Sequence, residues 1–146
     1  MAASDAHWPA AAWSATFAGV HGYWALGGRL GLPPEIVMAE RPLLLAIDII
    51  AIPLCLGAAA VATLCGKDVV KEKRRSWVRS AAWAIALFCY VHCVPPLSAA
   101  MVRLARSGRP TFPGEASAFD LLLYEPWWLL GGMAFAWVAS ERRRPT

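Results

Sequence analysis

Charged residues are scarce in this chain. They make up 16% of 146 residues, while 58% are hydrophobic; typical soluble domains carry about 25% charged and about 45–50% apolar residues. The scarcity excludes intrinsic disorder, which needs low hydrophobicity and high charge. It also argues against an ordinary soluble domain, because so short a chain has little interior in which to hide apolar surface. Cysteine is limited to four residues with no CxxC pair. Cys55, Cys65, Cys89 and Cys93 all lie in or at the ends of apolar runs and read as small buried hydrophobes. No Lys or Arg precedes Arg29, so a cleaved secretory signal is not expected. No lipid-anchor motif, P-loop, GxGxxG or GxSxG elbow is present, and no motif calls for a cofactor.

What the chain does have is apolar length. Four runs, at about residues 10–28, 43–65, 80–102 and 121–139, each hold 19–23 residues. About 20 residues cross the ~30 Å hydrocarbon core as a helix, and the alternation that barrel strands require is missing. The expected fold is therefore all-α, a single integral membrane domain over residues 1–146 built as a bundle of four transmembrane helices. Pro and Gly punctuate the connections: Gly31 to Pro34, Arg41-Pro42, and residues 107–114, SGRPTFPG.

The net charge is +4. The basic residues cluster between apolar runs, so they read as topology signals rather than as a nucleic-acid surface, and no nucleic-acid partner is expected. An even number of spans puts both termini and the 67–79 loop on one side. That side carries nine of the fourteen Lys and Arg residues, which makes it cytoplasmic by the positive-inside rule. Membrane lipids are the expected contact of the basic loop.

Ionisable groups at membrane depth are costly and default to functional candidates. Here they are His21, Asp48, His92 and Glu125. At 1.5 Å per residue they fall about 16–25 Å from the cytoplasmic side, all in the outer half of the bilayer. Helical spacing puts Trp13, Phe17, His21, Trp24 and Gly28 on one face, Phe88, His92 and Pro95 on another, and Tyr124, Glu125, Trp128 and Gly132 on a third. Turned inward, these stripes predict a polar pocket with aromatic walls. Pro53, Pro95, Pro96 and Pro126 break backbone hydrogen bonds at or near it. Blander readings stand beside these. Trp8, Trp77 and Trp137 suit an interfacial belt. His21 suits interhelical glue. Glu125, followed by Pro126, suits a helix start. Asp48, inside LLLAIDIIAI, has no such explanation.

Residues 23–28, YWALGG, and 124–132, YEPWWLLGG, resemble a family of small uncharacterised four-helix bacterial membrane proteins, over about residues 10–140. The chain is also similar, more weakly, to the integral-membrane terpene cyclases of meroterpenoid and indole-sesquiterpenoid pathways. Those too are small, Trp-rich helical bundles with two intramembrane carboxylates. That resemblance implies Asp48 and Glu125 as the matching pair.

The chemistry fits this second resemblance. No DDxxD or DxDD motif is present, so diphosphate ionisation is not expected. A carboxyl buried away from water can stay protonated and act as a general acid on an epoxide or alkene. Aromatic faces then stabilise the carbocation, and eight Trp are a large supply of them. The expected catalytic groups are Asp48 and Glu125, with His21 or Tyr124 accepting the final proton. The expected substrate walls are Trp24, Tyr23, Phe88, His92, Trp127 and Trp128. The partner would be a lipophilic small molecule entering from lipid.

Three other classes remain open at this point. A proton-coupled transporter would use the same four ionisable groups. As a homodimer it could pack through Gly27-Gly28 and Gly131-Gly132. A metal site from the four has suitable ligand types but no spacing motif, so no metal is called for. A non-catalytic membrane subunit is the structural alternative.

Overall fold

The computed structural model describes residues 7–33, 36–66, 72–108 and 120–141. Its described residues form four α-helices and no strand: α1 (His7–Ala25), α2 (Pro42–Gly66), α3 (Glu72–Ser107) and α4 (Glu125–Ser140). A 3-10 turn, Met38–Glu40, precedes α2, and a π-helical turn, Asp120–Tyr124, leads into α4. The all-α four-helix expectation is what the structure has.

Local chemistry places the helix ends. Pro9 sits in the first turn of α1 and Pro42 opens α2, where a missing N–H costs nothing. α1 stops in a Schellman motif. Gly28 N–H donates to the Tyr23 carbonyl and Gly27 N–H to the Trp24 carbonyl, both at 2.9 Å. Gly27 takes the left-handed conformation, φ +90°, that this turn requires.

The helices run up, down, up, down. His7 at the start of α1 lies against Gly66 at the end of α2. Cys65 Sγ is 4.0 Å from the Val78 carbonyl, and Arg79 Nε donates to the Ala139 carbonyl at 3.0 Å. One end of the bundle thus gathers the start of α1, the end of α2, the start of α3 and the end of α4. α1 packs most closely on α2, and α3 on α4.

The interior is assembled from small residues. Ala10, Ala62, Ala82, Ala86, Cys89 and Ala139 are fully buried together with Phe135. Small side chains let helix backbones approach where no hydrophobic gain separates inside from outside. A Cβ on Gly131 would stand 2.4 Å from the Trp13 ring, and one on Gly132 2.7 Å from the Tyr90 ring. These two glycines serve packing inside the bundle. Gly27 is likewise spent on the turn after α1.

The exterior is apolar. α2 buries only Asp48 and Ala62 while Ile47, Ile49, Ile50, Leu54 and Leu56 are exposed. Trp83, Leu87, Phe88, Val91 and Val94 on α3 are exposed too, as are Leu130, Met133 and Trp137 on α4. So large a surface of aliphatic and aromatic side chains belongs against lipid. Among the described residues, three helices are long and apolar enough to cross a membrane, over Pro42–Gly66, Arg74–Ser107 and Leu121–Ser140. α1, at 19 residues, does not join them. Its Ser14, Thr16, His21 and glycines dilute the apolar content that the sequence reading credited to a fourth span.

α3 is longer than its expected 80–102 segment, with 36 residues or about 54 Å at 1.5 Å per residue. Hydropathy marks where a helix meets lipid, whereas backbone bonding continues into water. Arg74 and Arg75 lie in the extension at one end, Arg103 and Arg106 at the other. The helix also runs through Pro95 and Pro96. Neither proline supplies an N–H to the carbonyl four residues earlier, on Val91 and His92.

Candidate functional site: two histidine–carboxylate pairs

Asp48 lies six residues, about 9 Å, inside the first residue of α2. It is 1% exposed. His21, near the end of α1, crosses to it: His21 Nδ1 is 2.7 Å from Asp48 Oδ1. The side chains are 12% and 2% exposed. One proton bridges the two atoms, either on the imidazole donating to a carboxylate or on a carboxyl donating to the ring. Asp48 Oδ2 is buried and has no hydrogen-bond partner among the described residues.

A second pair repeats the chemistry between α3 and α4. His92 Nδ1 is 3.4 Å from Glu125 Oε2, and the side chains are 43% and 8% exposed. This spacing is that of an ion pair, longer than the 2.7–3.2 Å of a tight N–H···O bond. Glu125 is the first residue of α4, with the π-turn before it and Pro126 behind it. A helix start is where a carboxylate gains from the backbone dipole. The capping and functional readings of Glu125 therefore describe one position.

The four ionisable residues thus form two pairs. Asp48 and Glu125, expected as partners of each other, each contact a histidine instead. No three His, Cys, Asp or Glu side chains among the described residues gather as a metal-ligand set.

An aromatic partition joins the pairs. The Phe17 ring is 4.6 Å from His21 and meets Trp128 edge-on at 5.0 Å. Trp128 stacks on His92 at 4.4 Å with 25° between planes. Trp24 meets His21 edge-on at 5.5 Å and Tyr124 at 5.7 Å. Phe17 was on the inward stripe but not among the expected site residues. Its signal was the four-residue spacing to His21, which puts it one turn along the same face.

The remaining candidates scatter. Phe88 touches Trp128 edge-on at 5.7 Å but is largely exposed. Trp127 stacks on Trp13 at 6.0 Å and meets Phe17 edge-on at 6.3 Å; its carbonyl accepts from Trp13 Nε1 at 2.8 Å. Tyr23 is exposed and stands apart from the cluster. Its hydroxyl accepts from the backbone N–H groups of Arg29 and Leu30, at 3.2 and 3.3 Å. Tyr124 donates its hydroxyl to the Gly31 carbonyl, and Trp24 Nε1 donates to the Leu30 carbonyl at 3.0 Å. Three aromatic side chains therefore tie the connection after α1 over the end of the bundle that carries the pairs.

The family model described as "Protein of unknown function (DUF3995)" matches residues 14–135. The chain belongs to the DUF3995 family. That span runs from α1 into α4 and contains all four ionisable residues. It agrees with the resemblance to small uncharacterised helical proteins, and it lends nothing to the resemblance to terpene cyclases. No curated protein and no solved structure matches the chain.

Proposed function

We propose that this DUF3995 chain is a membrane-embedded acid–base enzyme acting on a lipophilic substrate. The observation that carries the reading is the pairing itself: two histidine–carboxylate pairs on either side of a partition made by Phe17 and Trp128. Each pair can hold and move one proton, and buried ionisable groups of this kind are too costly to be incidental in lipid.

The reaction this arrangement favours is cyclisation or isomerisation of an isoprenoid epoxide or alkene. A proton from one pair passes to the epoxide oxygen, and a C–O bond breaks to leave a hydroxyl and a carbocation. An internal alkene attacks the cation, and a final C–H proton returns to a histidine or carboxylate. Atoms balance as an isomerisation, with no oxidant or reductant. The ring of Trp128, which lies on His92 and is backed by Phe17, supplies the cation-stabilising face.

A proton-coupled transporter would use the same residues, but it needs a polar path through the whole bundle. Away from the pairs, the interior is filled by Ala10, Ala82, Ala86, Cys89, Phe135 and Ala139. That packing favours a dead-end site over a conduit. Both termini are proposed to be cytoplasmic, from the nine-to-five bias of Lys and Arg.

The test is product analysis in membranes expressing the chain, supplied with epoxides of farnesyl- and geranylgeranyl-type chains. New cyclic isomers that vanish in Glu125→Gln, with Asp48→Asn lowering but not abolishing them, support the reading. Full activity in both variants, or no product from any substrate alongside proton-linked flux in vesicles, overturns it.

A further inference from the structure

The two pairs are not equivalent, and the difference assigns them different tasks. His21–Asp48 is tight and closed off: 2.7 Å apart, with both side chains nearly buried. His92–Glu125 is loose at 3.4 Å, and the His92 ring is 43% exposed. Phe88, one turn before His92 on α3, is exposed beside it, as are Val91, Val94 and Pro95. The imidazole thus opens onto an apolar surface of the kind that faces lipid. A half-exposed imidazole paired with a buried carboxylate is costly there unless something polar covers it. Pro95 and Pro96 supply no N–H to the Val91 and His92 carbonyls on the same turn.

We infer that His92–Glu125 is the substrate-facing pair, reached sideways from the membrane between α3 and α4, and that its ligand is an isoprenoid-type chain bearing a hydroxyl or epoxide head. The head covers His92, which removes the cost of its exposure. The tail lies along Phe88 and the exposed aliphatic face of α3, where it displaces lipid at little cost. Trp128, flat on His92 and edge-on to Phe88, forms the wall between head and tail. His21–Asp48, behind Phe17, does not touch the ligand; it is a closed positioning pair that fixes α1 on α2 and orders Phe17. This inference rests on the reading of the site as one for a lipophilic substrate, and it adds which pair meets the substrate and by what route.

The chain has three histidines, so each imidazole can be followed separately. The experiment uses full-length protein with isotope-labelled histidine in lipid nanodiscs. Ring signals are assigned by His7→Gln and His92→Asn comparison spectra, and farnesol is added as the probe. The expected result is a saturable shift of the His92 ring signals with His21 unmoved. A shift of His21 at or before that of His92 overturns the inference, and so does no shift at either ring. A His92 response without epoxide turnover would leave the lateral entry standing while removing the acid–base reaction. Turnover with a response confined to His21 would do the reverse.

Discussion

Trp128 lies flat against His92, ring centres 4.4 Å apart, while the same imidazole faces Glu125 at 3.4 Å. One residue thus meets an aromatic face on one side and a carboxylate edge on the other. Trp128 also touches Phe17, so this ring couples the open pair to the closed one.

Trp128→Leu should therefore affect rate and product distribution together. A lost cation–π contact costs about 0.5–2 kcal/mol, so turnover should fall a few-fold to about thirty-fold, with a broader set of products. Trp127→Leu removes a ring packed on Trp13 and Phe17, and it should lower stability with a smaller change in the product pattern than Trp128→Leu gives. Product profiles of the two variants in the same membranes check this.

Asp48→Asn should leave the bundle folded. An amide still hydrogen-bonds His21 and is cheaper to bury than a charged carboxylate. Asp48→Leu strips the partner from a nearly buried imidazole, which costs about 1–3 kcal/mol. Thermal unfolding in detergent should rank wild type and Asp48→Asn together, with Asp48→Leu clearly lower. Equal midpoints for all three would mean that the His21–Asp48 contact contributes nothing to holding α1 on α2.

Gly131→Ala and Gly132→Ala should each destabilise the protein. The added methyl groups meet the Trp13 ring at 2.4 Å and the Tyr90 ring at 2.7 Å, and overpacking of this kind costs about 1–3 kcal/mol. Gly57→Ala in α2 meets nothing within 4 Å and should be neutral or stabilising, since alanine is the better helix former by about 1 kcal/mol. Unfolding midpoints of the three variants distinguish steric clash from a general glycine effect.

Orientation is tested by labelling single cysteines at Ser76→Cys and Ser107→Cys in a background without native cysteine. Both positions are exposed, near opposite ends of α3. A membrane-impermeant thiol reagent applied outside intact cells should label position 107 and not position 76. The reversed pattern would place the termini outside.

Tyr124→Phe removes the hydroxyl that donates to the Gly31 carbonyl. A typical hydrogen bond contributes about 0.5–1.5 kcal/mol net, so global stability should fall little. Hydrogen exchange near Gly31 should rise more, because the Gly31 carbonyl loses its Tyr124 donor.

Much of the molecule was legible in one dimension. Four apolar runs gave four helices, because helix formation and lipid preference both depend on local composition and length. The stop of α1 at Gly27-Gly28 is equally local, since only glycine takes a left-handed turn without strain. The ionisable residues stood out because a membrane leaves them few inconspicuous positions. α1 is less apolar than the membrane-length stretches of the other three, because several of its polar and aromatic residues, such as Ser14, Trp13 and His21, pack within the bundle. Hydropathy cut α3 short, because it does not register a helix that continues into water.

Partnership was decided only in three dimensions. His21 faces Asp48 because α1 packs on α2, and His92 faces Glu125 because α3 packs on α4, while Gly131 on Trp13 and Gly132 on Tyr90 set how α4 meets α1 and α3. Those contacts join residues more than 40 positions apart, and no periodicity within one helix specifies them. The same register buried Asp48 and left His92 half open. Residue type and depth were properties of the sequence; pairing and exposure follow from how closely the helix backbones approach.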